Sequence, residues 1–329
     1  LHSFPTRRSS DLGFDLINAK IPLFPALATL ILAPDYFLPI RNFANDYHAT
    51  LDGKNSFHDV MEIIDQEQAP APAIKLHAWQ ADDQLEINDL AFRYHEGGKI
   101  TPLSVRLSGY QKVGIIGMSG SGKTTLINLL AGFLTPEQGK LQLQGQASTT
   151  MNIADWQHQI TYIPQSPYVF TASLRDNVAF YTPGVSDEEV KDAIHVVGLD
   201  DLLADLPERL DTMIGGGKRA LSGGQAQRIA LARAFLDRKR RVMIFDEPTA
   251  HLDIETELDL KERMLPLMEN RLVFFATHRL HWMPKMDYIL VMDHGQLVEQ
   301  GTYQELLAQN GYFTKLIQQT KGEGEQDVQ

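Results

Sequence analysis

The residues that most constrain the fold are 117–124, which read GMSGSGKT and match the pattern G-x-x-x-x-G-K-[ST]. An apolar run at residues 113–116 precedes them and predicts a buried strand. Apolar residues at helical spacing follow them, at Leu126, Leu129, Leu130 and Phe133. A strand, a glycine-rich loop and a helix in this order predict a P-loop NTPase with an α/β fold, and they disfavour a chance glycine-rich turn.

Each residue type in this loop has a physical role in binding phosphate. Glycines let backbone N–H groups turn toward phosphate oxygens, and the helix that follows directs its positive N-terminus at the same place. Lys123 is expected to reach the β- and γ-phosphates, and the hydroxyl of Thr124 to bind Mg²⁺. The nucleotide-binding residues predicted in this segment are Gly117, Ser119, Gly120, Ser121, Gly122, Lys123, Thr124 and Thr125.

A second segment supplies two carboxylates. Residues 242–245 read VMIF and predict a core strand of a parallel sheet, with Asp246 and Glu247 at its carboxyl end. Asp246 is expected to bind the Mg²⁺, and Glu247 to polarise the attacking water. An Asp-Glu pair after a strand is more often a solvated turn, so this interpretation depends on the P-loop.

A third motif indicates the type of ATPase. Residues 221–225 read LSGGQ, about a hundred residues after the P-loop and shortly before the Asp-Glu pair. With these three motifs, residues 83–320 resemble the ATPase domain of ABC transporters. The resemblance implies a nucleotide-binding domain with a mostly helical subdomain inside residues 168–235. It also implies that two such domains meet head to tail, so that the P-loop of one and the LSGGQ of the other hold the same ATP, with Mg²⁺.

The resemblance assigns further residues one at a time. Tyr94 matches the aromatic residue that stacks on adenine, and Asp253 matches the D-loop aspartate. A lone Tyr or His is usually a packing residue, so it is the order of these residues along the chain that supports their assignment. The signature loop is represented by Ser222, Gly223, Gly224 and Gln225. The implied catalytic residues are Glu247, His278 and Gln165. The implied metal ligands are Thr124, Gln165 and Asp246.

Two stretches of the sequence depart from the pattern of exporters in this family. Residues 212–217 read TMIGGG, whereas the pattern TxVGExG would have a glutamate at Gly216. Its absence puts in doubt how this side of the domain couples to a partner's membrane loops. Ala250 and His251 stand where small residues such as Ser-Ala are common. Two different subunits with two unequal ATP sites would explain such departures, so we expect a heterodimer with a second ABC half-transporter subunit.

Charge and composition weigh against other classes of function. The net charge of −12 provides no general basic surface for nucleic acid. The chain has no cysteine, which excludes disulfides and fits a reducing compartment. A soluble ABC ATPase acting on nucleic acid or the ribosome would call for a long coiled-coil insertion or two fused ATPase domains, and the sequence has neither. The stand-alone ATPase of an importer would lack the apolar segment that precedes this domain.

That apolar segment covers residues 21–40 and contains one charged residue, Asp35. It has the length of a helix that crosses a bilayer, although a buried helix of a soluble domain is the alternative. Its prolines would kink such a helix, which membrane helices tolerate, and Arg41 is consistent with a cytoplasmic end. We expect the last transmembrane helix and its cytoplasmic extension in residues 13–65, a linker in 66–82 and a flexible tail in 321–329.

The apolar segment and the residues that follow it show a narrower resemblance. Residues 32–41, LAPDYFLPIR, and 47–49, YHA, resemble the last transmembrane helix of CydD-like subunits of thiol-reductant ABC exporters. The resemblance implies a remnant of a transmembrane domain of six helices, embedded in the plasma membrane with the ATPase domain in the cytoplasm. It implies a small-molecule cargo, cysteine or glutathione, exported in support of cytochrome bd assembly. A half-transporter of the same fold that exports lipid, peptide or drug is the alternative.

The first residues do not continue this pattern. Residues 2–12 read HSFPTRRSSDL, which one reading frame of a widely used sequencing adapter encodes, and the chain begins with Leu. A natural targeting segment rich in Arg and Ser is the alternative. We expect residues 1–12 to be a sequencing artefact, and the natural chain to continue upstream with further transmembrane helices.

Overall fold

The computed structural model describes residues 17–18, 20, 22–65, 72–94, 97–216 and 221–326. The chain divides between residues 69 and 70 into two compact units. The expected adapter-derived residues 1–12 lie outside the described residues, as does the first part of the expected linker, residues 66–71.

The described part of the first unit contains one long helix, α1 (Leu23–Asp65). Among the residues that the structure describes, no helix is both long enough and apolar enough to cross a bilayer. The transmembrane helix that we predicted for residues 21–40 is therefore not confirmed. Residues 23–40 of the apolar run form the first part of α1, which continues through polar residues to Asp65.

The second unit is built on β-sheets. Its strands are β1 (Gln84–Arg93), β2 (Lys99–Ser108), β3 (Lys112–Ile116), β4 (Gln138–Leu143), β5 (Gln146–Ser148), β6 (Ile160–Ile163), β7 (Ala172–Ser173), β8 (Met213–Ile214), β9 (Val242–Asp246), β10 (Leu272–Thr277), β11 (Tyr288–Asp293) and β12 (Gln296–Gly301). One sheet has the order β2-β1-β4-β5 and is antiparallel. A six-stranded sheet has the order β12-β11-β3-β10-β9-β6, in which only β12 is antiparallel to its neighbour. This confirms the predicted α/β fold.

The order of the six-stranded sheet explains where a site can form. Strands β3 and β9 contain the two predicted apolar runs, and β9 is buried along its whole length. At their carboxyl ends, β3 leads into the P-loop, β9 ends at Asp246, and β10 ends one residue before His278. In an open parallel sheet, ligands bind outside the carboxyl ends of the strands. Neighbouring strands β3, β10 and β9 therefore bring these segments to one edge.

The helices of this unit cover the sheets and form the helical subdomain. They are α2 (Lys123–Leu130), α3 (Ala154–Gln157), α4 (Leu174–Val178), α5 (Asp187–Val196), α6 (Asp200–Asp205), α7 (Gly223–Leu236), α8 (Ile254–Met264), α9 (Tyr303–Gln309) and α10 (Tyr312–Gln326), with 3₁₀ helices at Arg209–Asp211, Leu265–Met268 and Leu280–Lys285. The predicted helical subdomain corresponds to α4–α7. Because α10 continues to Gln326, most of the segment that we expected to be a flexible tail is helical.

Helix α2 is shorter than its apolar pattern predicted. It ends at Leu130, and Phe133 lies beyond it with an exposed side chain. The cause is Gly132, whose φ of 77° is left-handed. A Cβ at this position would lie 2.3 Å from the carbonyl oxygen of Met151, so only glycine can end the helix in this way.

Part of the predicted linker belongs to the nucleotide-binding unit. Trp79 is buried, its backbone N–H donates to Gln159 Oε1 over 2.7 Å, and its Nε1 donates to the carbonyl oxygen of Gly109 over 2.8 Å. Its ring also packs edge to face on Trp156. The ATPase unit therefore begins before residue 83, the boundary that we predicted.

Candidate active site

A cavity of about 930 Å³ lies at the carboxyl edge of the six-stranded sheet. The predicted residues that line it are Ser119, Gly120, Ser121, Gly122, Lys123, Thr124, Thr125, Gln165, Glu247 and His278. Two further predicted residues adjoin it, because the carbonyl of Gly117 and the carboxylate of Asp246 bond to lining side chains. The structure thus brings the P-loop together with all three residues that we assigned to catalysis.

The P-loop is shaped to hold a phosphate group. A Cβ at Gly117 would lie 2.2 Å from the carbonyl oxygen of Met292, and one at Gly122, whose φ is 98°, would lie 2.8 Å from Ile100 Cδ1. The backbone therefore excludes a larger residue at Gly117, and the left-handed φ strains one at Gly122. The hydroxyl of Ser121 is buried and has no hydrogen-bond partner within the described part of the chain. This orphaned hydroxyl fits a loop that binds an anion, since a buried hydroxyl is normally hydrogen-bonded.

Three polar side chains meet at the carboxylate of Glu247. Lys123 Nζ lies 3.4 Å from its Oε1, His278 Nδ1 lies 3.1 Å from its Oε2, and Gln165 Nε2 donates to Oε2 over 3.5 Å. Lys123 Nζ also donates to the carbonyl of Gly117 over 2.9 Å. Residues that follow or end four different strands thus converge on one point.

The two carboxylates of the site have pKa values that move in opposite directions. A hydrogen bond from His278 lowers the pKa of Glu247, and the charge of Lys123 adds to this effect. Burial raises the pKa of Asp246, although the Thr124 hydroxyl, which donates to its Oδ1 over 3.1 Å, opposes the rise. Glu247 is therefore ionised at neutral pH, as a general base must be. A cation beside Asp246 would favour the ionised form that burial disfavours.

Side-chain ligands for a metal are few. Among the residues described, no group of three or more His, Cys, Asp or Glu side chains could hold a metal ion. Thr124 and Asp246 together offer a hydroxyl and a carboxylate oxygen. This set suits Mg²⁺, which is usually bound by one or two carboxylates and completes its shell with water and substrate phosphate.

The signature residues and Asp253 lie outside this cavity. Ser222 is the N-cap of α7, and it forms a capping box with Gln225, whose Oε1 accepts from the Ser222 N–H over 3.0 Å. Residues 223–224 occupy the first turn of that helix. Asp253 is the N-cap of α8 and accepts two hydrogen bonds from Thr256. In a single chain these side chains therefore act as helix caps.

Tyr94 lies next to the cavity without lining it. Its backbone N–H donates to the carbonyl of Gly98 over 2.9 Å, and its ring packs edge to face on Phe92. The residue is 38% exposed. Because Gly98 and Lys99 from the same hairpin line the cavity, the ring stands at its margin.

Several lining residues were not anticipated from the sequence. They are Gly97, Gly98, Lys99, Met118, His294 and Gly295. Gly295, in the turn between β11 and β12, donates its N–H to the carbonyl of Ser121 over 2.9 Å. Both residues of this turn have positive φ, 44° at His294 and 76° at Gly295, and a glycine between two strands is a signal for such a turn. That signal predicts the turn but does not indicate that the turn contacts the P-loop.

Comparison with known proteins identifies the family. Residues 100–250 match the family model described as ABC transporter. The chain belongs to the ABC transporter ATPases. It is similar to the glutathione/L-cysteine transport system ATP-binding/permease protein CydC of Bacillus subtilis (strain 168), with 48% identity over 95% of this chain and 54% of the relative.

Two further similarities extend this result. The CydD protein of the glutathione/L-cysteine transport system of Escherichia coli (strain K12) is 31% identical over 93% of this chain and 52% of the relative. The structure of a bacterial Atm1-family ABC exporter with ATP bound aligns with a TM-score of 0.70 and 28% identity. The alignment covers 86% of this chain and 50% of the exporter chain. The chain spans about half the length of the curated relatives that it matches.

The comparisons confirm the resemblance to ABC exporters of the CydC and CydD type. Identity is higher to the CydC relative, at 48%, than to the CydD relative, at 31%, although the membrane-side segment had suggested a CydD-like subunit.

Proposed function

We propose that this chain is the ATP-hydrolysing part of one subunit of a membrane exporter that carries cysteine or glutathione. The observation that supports this most directly is the convergence of Lys123, Gln165 and His278 on Glu247 beside the P-loop. The cargo is supported by the 48% identity to a CydC protein named for glutathione and L-cysteine transport. A role in cytochrome bd assembly is part of the same proposal.

In the proposed site, ATP binds with its phosphates in the P-loop. Lys123 and the N-terminus of α2 attract the β- and γ-phosphates, and Ser121 donates its free hydroxyl. Residues 222–225 and Asp253 stand at helix N-termini outside this cavity, and we assign them to the ATP held by a second ATPase domain. Two domains that face each other in this way would enclose two ATP molecules.

Hydrolysis is an in-line attack by water on the γ-phosphorus. Glu247 takes a proton from that water as the new P–O bond forms, and the bond to the β-phosphate oxygen breaks to release ADP and phosphate. His278 and Gln165 hold the Glu247 carboxylate and face the γ-phosphate. Lys123 stabilises the negative charge that the phosphate oxygens carry.

The residues present fit a Mg²⁺ ion at the same site. Thr124 and Asp246 would hold it, together with Gln165. When bound, Mg²⁺ neutralises charge on the β- and γ-phosphate oxygens.

The proposal extends to the membrane and to a partner. The relatives named as permease or exporter support placement in the plasma membrane, with the ATPase domain on the cytoplasmic side. Closure of two ATPase domains over ATP would move the attached membrane helices, and hydrolysis would reopen them. Gly216, in place of the glutamate common in exporters, supports a partner that is a different subunit. Its φ of 55° is left-handed, and a Cβ there would lie 2.1 Å from Thr171 Oγ1, so a glutamate would strain the backbone and displace that side chain.

The test is cargo uptake into inverted membrane vesicles. We expect vesicles with the full-length subunit and its partner to accumulate radiolabelled glutathione or cysteine when ATP is added, and vesicles with either subunit alone to accumulate none. Vesicles given a non-hydrolysable ATP analogue are the control. Full uptake by this subunit alone would contradict the heterodimer, and uptake of a lipid or peptide in place of the thiols would contradict the cargo.

A prediction for adenine binding concerns Tyr94. If its ring stacks on the base, Tyr94→Ala should weaken ATP binding by about 1–2 kcal/mol, the range for aromatic stacking on a base. Tyr94→Phe keeps the ring and should change binding little. Equilibrium titration with a fluorescent ATP analogue measures both variants, and equal losses for Ala and Phe would mean that the hydroxyl, not the ring, makes the contact.

A further inference from the structure

Glu247 has an unusual backbone conformation. Its φ is 48°, in the left-handed region that residues other than glycine rarely adopt. Such conformations persist only where the surrounding structure holds them in place. The direction of the carboxylate therefore depends on what fixes the peptide groups on either side of this residue.

Both peptide groups are held by hydrogen bonds. The N–H of Glu247 donates to the carbonyl of Ala276 over 2.8 Å. The carbonyl of Glu247 accepts from the Ala250 N–H over 3.2 Å and from the side chain of Gln227 over 2.9 Å. Gln227 is fully buried, and it lies on α7, the helix that begins at the signature residues. A side chain from the signature helix thus fixes the backbone of the proposed general base.

The other end of the Gln227 amide is held by the loop that follows Glu247. Gln227 Oε1 accepts from the backbone N–H of His251 over 3.1 Å, and His251 Nδ1 lies 3.1 Å from the same oxygen. Because the amide nitrogen faces the Glu247 carbonyl, the oxygen must face His251, and His251 Nδ1 must carry its proton. A Cβ at Gly223 would lie 3.3 Å from the His251 ring, so this ring also contacts the first turn of α7.

We propose that Gln227 is a positioning residue that holds Glu247 in its hydrolytic orientation, and that His251 in turn orients Gln227. The inference rests on the proposed function, in which Glu247 is the base. In a head-to-tail pair, α7 begins at one ATP site while Glu247 acts at the other, so Gln227 connects the two sites within one chain.

The test uses the assembled transporter and compares kcat with KM for ATP. Gln227→Met preserves the volume of the side chain and removes all three hydrogen bonds of the amide, one to Glu247 and two to His251. We expect kcat to fall about tenfold or more, because a misplacement of about 1 Å in a reacting group costs on the order of 10²-fold. The KM for ATP should stay within about twofold, since the P-loop is unchanged. Gln159→Met is the matched control, because Gln159 is also a buried glutamine that bonds to backbone groups. It precedes the amino end of β6, whereas the cavity lies at the carboxyl end, so this variant should leave kcat unchanged.

Two further measurements separate positioning from a structural role. In a Glu247→Gln background, Gln227→Met should cause no further loss of the residual hydrolysis, because it acts through the carboxylate that is already gone. His251→Ala should lower kcat less than Gln227→Met does, and His251→Asn, which retains a donor near the position of Nδ1, should restore it. If Gln227→Met does not fold, the two His251 variants test the inference on their own.

The outcomes are distinguishable from failure of the proposed function. An unchanged kcat in Gln227→Met, or the same fold loss with and without the Glu247 carboxylate, would overturn the inference while the proposed base stands. Normal hydrolysis in Glu247→Gln alone would instead overturn the assignment of the base, on which the inference depends.

Discussion

Replacement of Glu247 by glutamine is expected to lower steady-state ATP hydrolysis by about 10²-fold or more, the range for loss of a general base. Glutamine has nearly the same shape and can still bond to His278 and Gln165, but it cannot take a proton from water. The hydrogen bond from His278 keeps the pKa of Glu247 below its usual value of 4.5. The wild-type carboxylate is therefore already ionised at neutral pH, and the whole effect should appear there.

The pH dependence follows from the direction of this pKa. A base with a lowered pKa stays competent until the pH falls below its ordinary range, so protonation of Glu247 should limit activity only below about pH 4.5. A loss of activity with a midpoint well above this value would have to come from another group.

Phosphate release in single- and multiple-turnover assays measures the effect, and ATP binding is measured separately. Binding should survive in Glu247→Gln, because the P-loop and Lys123 are intact. The exposed Glu269, changed to Gln, is the matched control and should hydrolyse ATP at the wild-type rate. Near-normal turnover in Glu247→Gln would move the catalytic role to another residue.

How much of this site the sequence predicts depends on how local each signal is. The P-loop and the Asp-Glu pair are each predicted from a short stretch of sequence, in which an apolar strand is followed directly by the functional residues. The structure places these residues around one cavity. Lys99 belongs to the hairpin that precedes the P-loop and Gly295 to a hairpin far along the chain, and the place of both beside the P-loop depends on how β-strands pair. No local pattern encodes that pairing.

The boundaries of elements show the same limit. The apolar spacing that predicted α2 extended to Phe133, but a left-handed glycine at 132 ends the helix first. Trp79 fell inside the predicted linker, and its partners Gly109 and Gln159, which show that it is part of the core, are distant in sequence. The hydrogen-bonded cluster of Glu257 with Thr249, Arg279 and Trp282 could not be predicted from the sequence either, because its members come from three separate segments.

Glu257 is a buried carboxylate whose loss should strongly destabilise the nucleotide-binding unit. It is fully buried, and its Oε1 accepts from Thr249 Oγ1 over 2.6 Å and from Trp282 Nε1 over 2.7 Å. Its other oxygen pairs with Arg279, which also donates to the carbonyl of Leu252 over 3.0 Å. The carboxylate therefore joins the loop after Glu247 to the segment that follows His278.

We expect Glu257→Leu to lower the free energy of unfolding by about 3 kcal/mol, the lower end of the range for breaking a buried ion pair. The lower end applies because the Arg279 side chain is 20% exposed and can partly regain water. Two donors, from Thr249 and Trp282, would also lose their acceptor inside the core. Denaturant titration followed by tryptophan fluorescence measures the change, since Trp282 lies in the cluster.

Two matched variants test the cause of that change. Glu257→Gln keeps an acceptor for Thr249 and Trp282 but removes the charge, so it should cost less than Glu257→Leu. Asp259→Asn, on the same helix, breaks an exposed pair with Arg263 and should cost about 0.5 kcal/mol or less. Equal losses for Glu257→Leu and Asp259→Asn would contradict the role of the buried cluster.

The stability that Glu257 contributes should also depend on pH. Burial alone would raise its pKa, but donors from His281, Thr249 and Trp282, with the charge of Arg279, together lower the pKa below its usual value of 4.5. A carboxyl whose pKa is lower in the folded state contributes stability that is present above the unfolded pKa and is lost as the pH falls through the folded pKa. The difference between wild type and Glu257→Leu should therefore be full at neutral pH and should shrink below about pH 4.5. A difference that stays constant down to pH 3 would mean that packing, and not the buried charge, accounts for the effect.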